Sequence, residues 1–137
     1  WYYYYPDGSY VKNGWVEVGG RWYLFDASGR MLTGWQERDG QMYYLDGSGA
    51  MITGWLSWNG RWCYMNETQD AYYGCLVRGH WLGKDGKTYY LDNIGYMVEG
   101  WNQVDGNWYY FYPGQGNKAV NTTIDTFYVN DQGVWVH

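Results

Sequence analysis

Very little in this chain could build a conventional oily core. Its 137 residues include only 2 prolines, 2 cysteines and 3 phenylalanines, and leucine, isoleucine and valine are sparse. Cys63 and Cys75 are too few for a disulfide framework and read either as small buried thiols or as one local bridge. The two histidines, His80 and the terminal His137, supply no metal-binding set, and nothing implies a cofactor. There is no basic run. The net charge is −5 and the pI near 4.7, which makes nucleic acid and anionic membrane poor partners. No apolar stretch approaches the roughly 20 residues of a spanning helix. No window of useful length carries a 3.6-residue apolar period, and glycine recurs too often for one, so no helix is expected.

What the chain has instead is rings and glycine: 11 Trp, 18 Tyr and 21 Gly, at a mean hydropathy of −0.63. Such amphipathic rings suit surfaces packed on one side and open to water or a ligand on the other. The stretch 34–54, GWQERDGQMYYLDGSGAMITG, shows the plan. Asp-Gly and Ser-Gly separate short aromatic or aliphatic runs, which are hairpin signals. One hairpin with its connector is marginal alone, so the unit makes sense as one tile of an all-β array.

The tiles open at Trp15, Trp35, Trp55, Trp81 and Trp101, spaced 20, 20, 26 and 20 residues, and each tryptophan is followed five residues later by a glycine. The aromatic strands are 22–24, 42–44, 62–64, 88–90 and 108–110, and the return strands carry Met31, Met51, Leu76 and Met97 in one equivalent place. An insertion at 66–71, read as a longer and more polar hairpin tip, and the extra His80 account for the long spacing. The boundaries read as half-repeat 1–13, repeats 14–33, 34–53, 54–79, 80–99 and 100–120, and a capping terminal hairpin 121–137. Because Trp1 falls inside a half-repeat, the chain reads as the C-terminal part of something longer.

Strand alternation sorts the rings. The first and third positions of each aromatic strand share a face. The second position (Tyr23, Tyr43, Cys63, Tyr89, Tyr109) points away and reads as packing. Two indoles of one hairpin and a phenol of the next can then form a three-sided box. Inward ring faces attract a cation, above all a quaternary ammonium, which has no N–H to donate. Asp7, Asp46, Asp85 and Asp105 sit beside glycine, as turns require. Cys63, Cys75 and His80 come with no pocket or orienting group. No enzyme is expected within this chain.

The unit GW-x4-G-x-WYY-x-D-x-x-G-x-M-x-T resembles the choline-binding (cell-wall-binding) repeats of Gram-positive surface proteins and phage lysins. The ending AVNTTID at 119–125, VN at 129–130 and GVWV at 133–136 resembles the closing segment of pneumococcal-type members. The resemblance implies a β-solenoid of stacked hairpins, roughly three per turn. It also implies a secreted protein held at the bacterial surface by choline or phosphocholine on teichoic and lipoteichoic acids, beside a separate effector module. Carried over, it implies full sites at Trp15, Trp22 and Tyr44 with Met31 as floor; at Trp55, Trp62 and Tyr90; and at Trp101, Trp108 and Tyr128, with Phe127 as the alternative wall. Trp35, Met42 and Tyr64 make a weaker site. Trp81 and Tyr110 make little, because Thr88 stands where an indole is needed; the leading junction offers only Leu24. A dimer through the terminal hairpins stays open. Toxin and glucansucrase repeats look similar, so an oligosaccharide-binding module is the alternative reading.

Overall fold

The computed structural model describes residues 2–137; Trp1, the first residue of the expected half-repeat, lies outside the described residues. Among the described residues the fold is all-β, with no helix. Six antiparallel hairpins follow one another, each a separate two-stranded sheet. The first pairs β1 (Gly14–Val18) with β2 (Arg21–Phe25), the second β3 (Gly34–Arg38) with β4 (Gln41–Leu45), and the third β5 (Gly54–Trp58) with β6 (Arg61–Met65). The fourth pairs β7 (His80–Lys84) with β8 (Lys87–Leu91), the fifth β9 (Gly100–Val104) with β10 (Asn107–Phe111), and the sixth β11 (Thr122–Ile124) with β12 (Phe127–Val129).

The hairpin tips explain the spacing. Asp39-Gly40, Asn59-Gly60, Asp85-Gly86 and Asp105-Gly106 all take positive φ at both residues, the two-residue turn whose twist matches the strands. The sixth tip departs from this rule: Asp125 is followed by Thr126 at φ 75°, a left-handed conformation that a β-branched residue adopts only under strain. Replacing Thr126 with glycine is expected to stabilise the protein by about 1 kcal/mol, read as a higher urea midpoint at unchanged slope.

A second turn links each hairpin to its return residue. In the half-repeat and the first two repeats it is built on Asp7, Asp26 and Asp46, whose carboxylates accept bonds from Ser9, Ser28 and Ser48 hydroxyls at 2.6, 2.7 and 2.6 Å. The serine hydroxyl is the largest cause holding each carboxyl below its ordinary range; backbone amides add to it. These native carboxylates bind protons less readily than their unfolded counterparts. Their contribution is therefore complete above the unfolded carboxylate range and is lost as pH falls through the lower native values. Thermal midpoints are expected to decline as pH drops below about 4, and less steeply in Asp46→Asn.

The contacts divide the chain into two compact units: the chain up to Leu56 with Tyr64–Leu76, and Ser57–Cys63 with Val77–His137. The last residue of each second strand supplies the core. In the first unit Phe25, Leu45 and Met65 are buried; in the second, Leu91, Phe111 and Val129. Each bridges its own return residue: Met31, Met51 and Leu76, then Met97, Lys118 and Trp135. Cys63 and Cys75 are free, buried thiols.

One backbone bond recurs between successive hairpins. The return residue's N–H donates to the carbonyl at the first position of the preceding second strand: Met51 to Trp22 and Leu76 to Met42 in the first unit, Met97 to Trp62, Lys118 to Thr88 and Trp135 to Trp108 in the second, all at 2.7–2.9 Å. Further along, four of the return side chains lie under a turn glycine of the next hairpin. Met31 lies under Gly49, Met51 under Gly74, Met97 under Gly116 and Lys118 under Gly133.

Candidate binding site

Four rings close the seam between the fifth and sixth hairpins. Trp101, Trp108, Phe127 and Trp135 line a cavity of about 200 Å³. Phe127 stands at 86° to Trp101, with centroids 6.0 Å apart, and at 85° to Trp135, with centroids 5.7 Å apart. Tyr110 backs Trp101 from its own hairpin at 5.2 Å. Trp108 stays 40% exposed, so the box has an open side. No charged side chain lines it. Perpendicular walls present ring faces to one volume, the arrangement that holds a cation by its attraction to the rings.

This seam corrects the expected third wall. The sequence reading puts Tyr128 there with Phe127 as the alternative; it is Phe127 that lines the cavity. Tyr128 is exposed and turns its hydroxyl toward Asn121 at 3.4 Å. The same shift occurs at two further seams. Trp15 meets Tyr43 at 5.0 Å, and Trp81 meets Tyr109 at 4.9 Å. Tyr44, Tyr64, Tyr90 and Tyr110 instead lie against the opening tryptophan of their own hairpin, at 5.0–5.2 Å. The reason is parity. Tiles stacked in one direction present one face backward and the opposite face forward, so the wall from the next hairpin sits one residue away from the position matched within the hairpin. The second position, read as packing, is the one that reaches across.

Met31 also moves. It lines a cavity of about 330 Å³ with Tyr2, Tyr3 and Tyr23, at the leading seam. The return residue beside Trp22 is Met51, and these two share a cavity of about 210 Å³ with Ile52, Thr53 and Tyr73. Trp15 and Tyr43 lie outside the lining of that cavity. Tyr43 accepts a hydrogen bond from the Cys75 thiol at 3.2 Å. Burial first, then this bond, pushes the Tyr43 phenol up to about 12, so it meets Trp15 as a neutral ring at physiological pH. The Met42 carbonyl accepts from the Leu76 backbone N–H at 2.8 Å. Trp55 belongs to the first unit, and Trp62 and Tyr90 to the second.

Besides the second-position rings Tyr43 and Tyr109, sequence reasoning missed Trp135 and Lys118. A signal for both was available: they continue the return series of Met31, Met51, Leu76 and Met97. No group of residues able to hold a metal occurs among the described residues, and no helix there is long and apolar enough to cross a membrane.

A family model for the choline-binding repeat matches residues 12–54, 32–74 and 77–122. The chain belongs to the choline-binding repeat family. Among solved structures, choline-binding protein F of Streptococcus pneumoniae is 42% identical over 100% of this choline-binding repeat chain and 44% of its own, with a TM-score of 0.88. CbpJ from the same species is 40% identical over 99% of this chain and 45% of its own, with a TM-score of 0.87. The repeats thus span less than half the length of either relative. The autolysin LytC of S. pneumoniae, 24% identical over 98% of this chain and 31% of its own at a TM-score of 0.76, shares the fold. Among curated proteins none matches.

Proposed function

We propose that this chain is a non-catalytic binding module that takes choline or phosphocholine into aromatic cages and so holds a secreted protein to teichoic and lipoteichoic acids of a bacterial cell wall. The observation that carries this is the box of Trp101, Trp108, Phe127 and Trp135, whose faces converge on one apolar, uncharged volume open on one side. A trimethylammonium head is cationic yet cannot donate an N–H bond, so rings suit it better than a carboxylate. Each ring contact contributes roughly 0.5–2 kcal/mol, which leaves one cage binding on the order of millimolar. Several cages on a polymer that repeats its ligand gain about 10²- to 10⁴-fold in avidity.

We read the Trp15–Tyr43 ring pair and the separate cavity shared by Trp22 and Met51 as a second, less closed place for the ligand, and Trp35 with Met42 as a weaker one. We read 1–137 as one module with the repeat boundaries set out above, its hairpins stacked as a β-solenoid of about three hairpins per turn. The recurring bond from each return residue to the preceding strand supports that reading. Surface association is the setting this function requires.

The test is tryptophan fluorescence titrated with choline and, separately, with glucose oligomers, together with retention on a tertiary-amine resin. Saturable change with choline and elution by choline are expected. A response to the oligosaccharide alone would replace this reading with the glycan-binding one.

A further inference from the structure

The seam between the fourth and fifth hairpins has the positions of a cage but a different filling. Trp81 opens it, Tyr109 is the wall from the next hairpin, and the two rings lie 4.9 Å apart at 76°. Thr88 stands where the terminal box has the second indole, Trp108. Lys118 stands where that box has Trp135. The Lys118 ammonium lies 5.2 Å from the centre of the Trp81 ring and 5.5 Å from that of Tyr109, within the reach of a cation–ring attraction.

Three further contacts hold it there. The Lys118 backbone N–H is bound to the Thr88 carbonyl at 2.7 Å. Its aliphatic stem runs under Gly133, where an added Cβ would come within 2.8 Å of its Cδ. Its Nζ donates to the Gln132 carbonyl at 2.7 Å. Burial lowers the pKa of this amine, as expected of a cation partly withdrawn from water. At the other return positions the residue is methionine, leucine or tryptophan.

We infer that this seam is a cation cage already occupied from within: the Lys118 ammonium lies over the rings in the place a quaternary ammonium would take, and excludes choline from the fourth seam. The inference rests on the choline reading of the other cages. Magnitudes favour the internal ligand. A tethered group acts at an effective concentration of about millimolar or above, and the bonds to Thr88 and Gln132 hold this one in position. Free choline, which binds a complete cage only at about millimolar, would here meet two rings instead of four. The consequence is a division of labour: the terminal box is open to ligand, while the fourth seam holds its two hairpins together whether or not choline is present.

The test uses the full chain and equilibrium dialysis with labelled choline. Thr88→Trp restores the second indole but leaves the ammonium in place, and is expected to bind the same number of cholines as wild type. Thr88→Trp with Lys118→Met, the residue used at Met31, Met51 and Met97, is expected to bind about one more. A gained site in Thr88→Trp alone would overturn the inference, and so would no gain in the double variant while wild type binds normally. A second readout needs no choline. In proton NMR the Lys118 Hε signals are expected upfield of those of Lys87, and to lose that shift in Trp81→Leu. Unshifted Lys118 signals would overturn the inference whatever the double variant does. If wild type binds no choline at all, the proposed function fails, and the ring-shifted lysine decides on the internal pair by itself.

Discussion

Alanine at Phe127 is expected to cost this chain one bound choline, whereas alanine at Tyr128 is expected to cost none. Phe127 stands nearly perpendicular to both Trp101 and Trp135 and closes the box between them. Tyr128, the next residue, is as exposed as Phe127 but belongs to the opposite face of its strand. Removing one wall forfeits roughly 0.5–2 kcal/mol, about 2- to 30-fold in affinity. A cage that starts at about millimolar then drops out of a measurable stoichiometry. Trp135→Ala is expected to match Phe127→Ala. The comparison is made by dialysis with labelled choline, with circular dichroism confirming that each variant folds. The reverse pattern, loss with Tyr128 and retention with Phe127, would reinstate the third position as the wall and refute the parity rule. Tyr43→Ala against Tyr44→Ala applies the same contrast at Trp15.

A large loss of stability is expected at Gly116→Ala. Gly116 has a φ of 81°, and a Cβ built there collides with the Sδ, Cε and Cγ of Met97. The left-handed backbone costs an alanine about 1–2 kcal/mol, and forcing the methionine aside in a packed seam adds about 1–3 kcal/mol. A total of about 2–4 kcal/mol is therefore expected, a large share of the stability of a small domain. Gly47→Ala is the control, since an added Cβ there meets nothing within 4 Å and its φ is not in the left-handed region. It should stay within about 0.5 kcal/mol of wild type. Denaturant unfolding of both variants measures the difference. Equal effects would mean that methionine-on-glycine stacking between hairpins does not hold the array together.

Much of the architecture was legible without coordinates, because its signals are local. Asp85-Gly86 and Asp105-Gly106 announce a tip through the φ values they tolerate, and the strands at 42–45 and 108–111 through alternation of large side chains. Family membership was equally legible, since the repeat motif is spelled out in consecutive residues. The cage walls were not. Tyr43 and Tyr44, or Phe127 and Tyr128, are adjacent rings of similar size, and alternation says only that they face opposite ways. Nothing in one hairpin says which way is forward.

The sequence by itself therefore determined an all-β array of hairpins, its glycine-bearing turns, its repeat positions and its wealth of rings at recurring places, but not which turn is the tip: 66–71 reads as one, whereas the third hairpin turns at Asn59-Gly60. The tertiary structure alone decided which rings share a cavity. It put Phe127 and Trp135 with Trp101 and Trp108, and set Lys118 over Trp81 and Tyr109 in the seam before. The physical reason is that turn conformation and strand alternation are properties of neighbours in the chain. A cage wall is a property of two surfaces meeting, and reversing which face meets the next tile exchanges every wall while leaving each strand's alternation unchanged.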